Sequence, residues 1–133
     1  MAKNSVTAVP AAHPEMAYAH FQQELTFETD CADVYEAMKT GNPGFVLVDA
    51  RGPAHFAAGH VRGAVNIPHG KIIESKLAAY PPDTLFVVYC DGPHCNGATR
   101  AAVRLSSLGR PVKKMVGGAH GWRLDGYSLE RGE

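Results

Sequence analysis

The 133-residue chain is 45% hydrophobic and 20% charged, with 13 basic and 13 acidic residues that cancel, proportions that describe one globular domain with one core. No run of like charges is long enough to form a nucleic-acid-binding or membrane-binding arm, so the expected partner is a small molecule or another protein. No stretch approaches the roughly 20 apolar residues of a membrane helix and the N-terminus lacks a signal-peptide core, which sets the expected location as cytoplasmic; there, three cysteines imply free or reactive thiols over a disulfide framework.

In chain order, residues 1–13 are rich in Ala, Pro, Ser and Thr and are expected to form a flexible tail. Residues 14–28 are expected as a helical extension. Pro14 and Glu15 suit a first turn, and Tyr18, Phe21 and Leu25 recur at helical spacing, so this short helix is expected to pack outside the main core. Residues 29–133 are expected as the main domain. Its first helix lies in "TDCADVYEAMKTG", with Thr29 or Asp30 as cap and Gly41 as stop.

"FVLVDA" is nearly continuous apolar sequence, which predicts a strand covered on both faces. A helical turn in "PAHFAAG" and a short strand in "GAVNIP" follow. "HGKIIESKLAAYPP" predicts another helix, with Ile72, Ile73, Leu77 and Ala78 on one side and Pro81 and Pro82 as its end. "TLFVVYC" is the strongest strand. "GATRAAVRLSSLG" predicts an amphipathic helix facing the sheet through small residues. "VKKMVGG" and "AHGWRLDG" predict a last strand and a short helix. Strands alternating with helices in one domain give an α/β fold with a mainly parallel sheet and helices on both faces.

Ligands of open α/β sheets bind beyond the carboxyl ends of the strands, and "CDGPHCNG" leaves the strongest strand there. A following helix N-terminus offers free N–H groups and partial positive charge, which hold anions and favour a thiolate. Gly92 and Gly97 are expected to turn with positive φ and aim N–H groups at one spot, while Pro93 stiffens the loop. Asp91, His94, Asn96, Ala98 and Thr99 complete the loop and first turn, and Arg100 is placed to bond an anion there. Asp91 opposes a dianionic donor. Cys90 at a strand end also fits a plain buried apolar residue, but two cysteines, two glycines and an arginine converging on one helix start favour a reactive site.

The same residues resemble the rhodanese-like (sulfurtransferase) domain family. "VLVDARGPAHFAAGHVRGAVNIP" is similar to its strand ending in Asp-x-Arg with the Gly-His and Ile-Pro that follow; "FVVYC" with "AAVRLSSLG" is similar to its active-site strand and helix; "VKKMVGGAHGW" is similar to its closing strand, Gly-Gly turn and tryptophan helix. The resemblance implies a five-stranded parallel sheet flanked by helices on both faces. It also implies a sulfurtransferase of sulfur metabolism in which Cys90, as a persulfide, moves a sulfane sulfur from thiosulfate or another persulfide to a thiol or cyanide-like acceptor, with a protein persulfide as a further possible partner. No organic cofactor and no metal is implied. The loop is longer than the family's usual one and carries Cys95, a C-x4-C pattern in which Cys95 either assists Cys90, as a resolving or relay thiol, or replaces it.

"HCNGATR" also resembles the His-Cys-x5-Arg loop of phosphatases and arsenate reductases with one residue missing, which keeps Cys95 and Arg100 open as an oxyanion site. A non-catalytic binding module is the other alternative. Cys90, His94 and Cys95 lack a nearby fourth zinc ligand. Asp49, Arg51 and His60 are expected as structural support, Arg51 pairing with an acidic neighbour and His60 fixing a turn. Cys31 has a thiolate-favouring place at a helix start but is expected to be structural. Trp122 is expected at the core edge, and His13, His20, His55, His69 and His120 have no metal-ligand spacing.

Overall fold

The apolar runs become the centre of a parallel sheet. Phe45–Ala50 contains β2 (Val46–Asp49) and Thr84–Cys90 contains β4 (Phe86–Tyr89), paired in parallel from Val46↔Phe86 to Asp49↔Tyr89. In this computed structural model, which describes residues 4–133, the other strands are β1 (Glu28–Asp30), β3 (Val65–Asn66) and β5 (Val112–Val116). Five strands lie in the order β1-β5-β4-β2-β3, every pairing parallel. The helices are α1 (Pro14–Phe27), α2 (Cys31–Lys39), α3 (Pro53–Ala58), α4 (Glu74–Leu77), α5 (Gly97–Ser107) and α6 (Gly118–Leu124), with a 3₁₀ turn at His69–Lys71.

The two-residue period of β4 divides its side chains between two cores. Phe86, Val88 and Cys90 face Ile72, Leu77, Ala98, Ala101 and Leu105, so α4 and α5 cover that side. Val87 and Tyr89 face Cys31, Val34, Met115, Ala119 and Trp122, so α2 and α6 cover the other. A strand buried on both faces has to be apolar throughout, and each large side chain so buried contributes about 1.5–3 kcal/mol.

Several expectations need correcting. Strand β1 has no apolar pattern: it is a three-residue polar edge strand, and its register on β5 puts Glu28 beside Lys114, whose Nζ lies 3.7 Å from the carboxylate. The expected helix over His69–Pro82 is broken. Ile72 takes an extended conformation so that its side chain enters the core, which turns Ile73 outward and leaves a single helical turn, α4. Trp122 lies inside the core, not at its edge, and its Nε1–H donates to the Ser128 carbonyl at 3.1 Å. Helix α1 buries none of its residues, Tyr18, Phe21 and Leu25 included.

Of the tail expected over 1–13, residues 1–3 lie outside the described residues. Residues 4–7 make a turn in which Asn4 Oδ1 accepts from the N–H groups of Val6 and Thr7. The cap of α2 is Asp30, which accepts from Asp33 N–H at 2.9 Å, not Thr29.

Candidate active site

The register of β2 on β4 ends the two strands side by side, and Ala50 N–H donates to Tyr89 O at 2.9 Å. Arg51 and Asp91 therefore emerge as neighbours at the carboxyl edge. Cys90, the residue after β4, is 6% exposed and keeps its strand orientation toward α5.

The loop from Asp91 to Asn96 folds back over Cys90. Pro93 and His94 sit at the corner of a turn closed by Cys95 N–H donating to Gly92 O at 3.1 Å. The turn brings Cys95, exposed to solvent, onto buried Cys90; the two form a disulfide with their Cα atoms 6.5 Å apart. The chain was expected to hold its thiols reduced. The bond is a local link across one loop, possible because the turn reverses the chain within five residues.

Helix α5 begins two residues after Cys95, and Gly97 N–H points at Cys95 Sγ from 3.4 Å. An N-terminal N–H aimed at sulfur favours the thiolate over the thiol once the bond is opened. Gly92 and Gly97 do not carry the positive φ expected of them. What Gly97 supplies is space: a Cβ there would stand 2.6 Å from Cys90 Sγ and 3.4 Å from Cys95 Sγ. At Gly92 a Cβ would meet His120 Cβ at 3.2 Å.

The positive φ belongs instead to Gly117 and Gly118, in the turn between β5 and α6. A Cβ on Gly118 would lie 2.5 Å from the Cys90 carbonyl oxygen and 2.9 Å from Gly92 N. This close approach lets Ala119 N–H donate to Cys90 O at 2.9 Å and His120 N–H to Asp91 O at 2.7 Å. The start of α6 thus holds the backbone that follows Cys90 at two successive carbonyls. The residues were visible in sequence only as part of the "VGGAHGW" motif, because their role depends on contacts with Cys90 and Asp91, far back along the chain.

Arg51 carries the densest polar contacts. Its guanidinium makes a bidentate pair with wholly buried Asp49 (Nη2–Oδ2 2.7 Å, Nε–Oδ1 3.0 Å), donates to Gly59 O at 2.6 Å, and reaches Asp91 Oδ1 at 3.1 Å. Burial works against this cation, but the two carboxylates outweigh it and hold the guanidinium charged. Asp91 shares the Arg51 guanidinium with Asp49, so the three side chains together keep one negative charge at this edge. Asn66 Nδ2 donates to the carbonyls of Asp49 and Arg51, and Tyr89 Oη accepts from Val61 N–H at 3.0 Å. Burial pushes the Tyr89 hydroxyl well above its ordinary range. His60 stacks on Phe56 at 3.7 Å and its Nδ1 lies 2.8 Å from Phe56 O.

Other candidates stand apart from the sulfur. Arg100 is exposed and its Nε donates to Asn96 Oδ1 at 3.1 Å, a local brace on the helix start and not an arm over the loop. Thr99 accepts from Lys114 Nζ at 3.3 Å. Cys31 is buried, and burial together with Asp125 and Asp30 pushes its thiol up to about 11, so the helix start it occupies does not make it a thiolate. His13 caps α1, where Glu15 N–H donates to its Nδ1 at 3.4 Å, and His20 lies beside Glu24.

Two spaces meet at the loop. A small cavity of about 160 Å³ is bounded by Cys90, Cys95, Ala98, Lys114 and the Gly117–Gly118 turn. A wider, open cleft of about 540 Å³ is lined by Asp91, His94, Cys95, His120 and Arg123. A third cleft of about 560 Å³, among Tyr35, Met38, Arg62, Trp122 and Tyr127, contains no cysteine. His120 and Arg123 are functional candidates that sequence reasoning missed; their signal was their i, i+3 spacing on one short helix. The arrangement can present one sheltered sulfur with room for a further atom beside it, and a second sulfur open to solvent.

The rhodanese-like domain family matches residues 30–125. The chain is 37% identical over 86 residues to the HTH-type transcriptional regulator Rv0324 of Mycobacterium tuberculosis, covering 65% of this chain and 38% of that protein, so it spans little more than a third of that relative's length. The crystal structure of BH2092 from Bacillus halodurans superposes with a TM-score of 0.86 at 36% identity, over 90% of this chain and 87% of that one. RPA3614 from Rhodopseudomonas palustris, described as a possible tyrosine phosphatase, superposes with a TM-score of 0.66 at 26% identity, over 92% of this chain and all of the other.

Proposed function

This chain belongs to the rhodanese-like domain family, and from that membership we propose that it is a sulfurtransferase that carries a sulfane sulfur on Cys90. The observation that carries the reading is the place of Cys90: at the carboxyl end of the central strand, clamped by the start of α6, with a cavity of about 160 Å³ at its sulfur. That space suits one added sulfur atom. The reaction starts from the dithiol form. Cys90 thiolate attacks the outer sulfur of thiosulfate, the S–S bond of the donor breaks, and sulfite leaves with the electron pair; with a persulfide donor a thiolate leaves instead.

The outer sulfur on Cys90 then lies at the first turn of α5, whose N-terminal partial positive charge favours its anionic form. A thiol or cyanide-like nucleophile takes it, and Cys90 returns as thiolate. The sulfur donor or acceptor enters through the open cleft, where His120 and Arg123 suit an anion. We place the activity in residues 29–133 and in the cytoplasm.

The test is to weigh the peptide spanning Val87–Arg100 after exposing the reduced protein to thiosulfate or an alkyl persulfide. Cys95→Ser gains sulfur at Cys90 and Cys90→Ser does not. Gain by Cys90→Ser with loss in Cys95→Ser would transfer the nucleophile's role to Cys95.

The likeness to a possible tyrosine phosphatase favours a second reading, an oxyanion ester site at Cys95. Turnover of an aryl phosphate that depends on Cys95 and Arg100 would establish it. Against it stands Arg100, bonded to Asn96 and away from both spaces at the loop.

A further inference from the structure

We propose that Cys95 is a resolving thiol that converts the sulfur bound on Cys90 into hydrogen sulfide, leaving the Cys90–Cys95 disulfide for a dithiol reductant to reopen. The inference rests on the persulfide reading above and names its product and its partner class.

Which sulfur Cys95 reaches decides the product. In the disulfide, Cys95 Sγ is joined to Sγ of Cys90 itself. In a Cys90 persulfide that atom is the inner sulfur, and the added sulfur lies one bond beyond it. Attack on the inner sulfur forms the Cys90–Cys95 bond, breaks the bond to the outer sulfur, and expels it as HS⁻. Attack on the outer sulfur would have moved it to Cys95, a relay; the turn from Gly92 to Cys95 closes on the nearer atom.

The step balances without any other reagent. Two thiols lose two electrons, and the sulfane sulfur gains them to become sulfide. The outer sulfur has room in the cavity shared by Cys90, Ala98 and the Gly117–Gly118 turn while Cys95 approaches. Gly97 leaves the inner sulfur uncovered from the side of Cys95, and its N–H favours the attacking thiolate.

Reopening also follows from the geometry. Cys90 is shielded, whereas Cys95 is exposed and lines the cleft of about 540 Å³. A dithiol therefore attacks Cys95 Sγ, Cys90 leaves as thiolate, and the reductant's second thiol attacks the mixed disulfide and releases Cys95. The reductant leaves oxidised, and both protein thiols are restored.

The experiment uses the full chain, reduced and then freed of reductant under anaerobic conditions, and mixed with thiosulfate or an alkyl persulfide. Sulfite or released thiol, sulfide and peptide mass are measured together. Wild type is expected to release leaving group and sulfide in equal amounts, one per chain, and then stop, its Val87–Arg100 peptide lighter by two hydrogens. Added dithiol restarts it. Cys95→Ser, an exposed substitution, is expected to release the leaving group but no sulfide and to hold one extra sulfur that cyanide removes. Wild type that keeps the extra sulfur and releases no sulfide would overturn the proposal, as would sulfur recovered on Cys95. If Cys95→Ser neither releases the leaving group nor gains sulfur from either donor, the persulfide reading falls, and this proposal with it.

Discussion

Replacing Arg51 by Met tests what holds the Cys90 loop against the sheet. The substitution keeps most of the apolar stem and removes a guanidinium that makes two bonds to wholly buried Asp49, one to Gly59 O and one to Asp91. Asp49 keeps the bond from Arg51 N–H at 3.0 Å but is left as a buried anion without a countercharge. Breaking a buried pair in this way costs about 3–5 kcal/mol. For a domain of this size that corresponds to a fall in Tm of about 10–20 °C.

Asp91→Asn gives the internal comparison. It weakens only the half of the network that reaches solvent, since Asp91 is 54% exposed, and should cost no more than about 1 kcal/mol. Adding Asp49→Asn to Arg51→Met removes the orphaned charge, so the double variant should recover about 1–3 kcal/mol relative to the sum of the single losses. Urea unfolding followed by the fluorescence of Trp122, the only tryptophan and a core residue, reads wild type, the three single variants and the double variant. If Arg51→Met lay within about 1 kcal/mol of wild type, or Asp91→Asn were equally damaging, the buried pair would not be the anchor of the loop.

Gly97→Ala puts a methyl group 2.6 Å from Cys90 Sγ. Overpacking of about 1–3 kcal/mol is partly offset by about 1 kcal/mol of better helix propensity, so stability falls by at most about 2 kcal/mol. Sulfur uptake, read as sulfite or thiol released from the donor, should slow by at least about tenfold, roughly 1.4 kcal/mol of barrier; an unchanged rate would refute the packing effect. Cys31 gives a pH prediction. Its thiol titrates at 9.0 when unfolded and near 11 when folded, so the native state binds the proton more tightly. That contribution is complete below pH 9 and is lost as the pH rises from 9 to 11, by about 3 kcal/mol. Urea midpoints across this window should fall less in Cys31→Ala than in wild type, and parallel curves would disprove the assignment.

How much was legible in sequence can be argued from single elements. The runs around Leu47 and Val87 are apolar at every position but that of paired Asp49, because both faces of the central strands are covered, and that demand falls on each residue wherever its neighbours come from. Helix α5 was equally clear, since Ala98, Ala101 and Leu105 face the sheet at helical spacing. Strand β1 was not, because an edge strand of Glu, Thr and Asp held by β5 needs no pattern of its own. Ile72 and Ile73 suggested a helical face, and the core took one and turned the other out.

Local sequence determined the strand, the loop and the helix that bring a cysteine to the carboxyl edge of a parallel sheet, because period, turn residues and helix stops act over a few residues. Tertiary structure alone decided the rest of the site. It set buried Cys90 under exposed Cys95, gave Gly97 a spatial role in place of the φ expected of it, and turned Arg100 aside to Asn96. It also brought Gly118 and Arg51 to the loop from other parts of the chain. Those relations depend on which surfaces meet after folding, and no spacing along the chain encodes a distance across it.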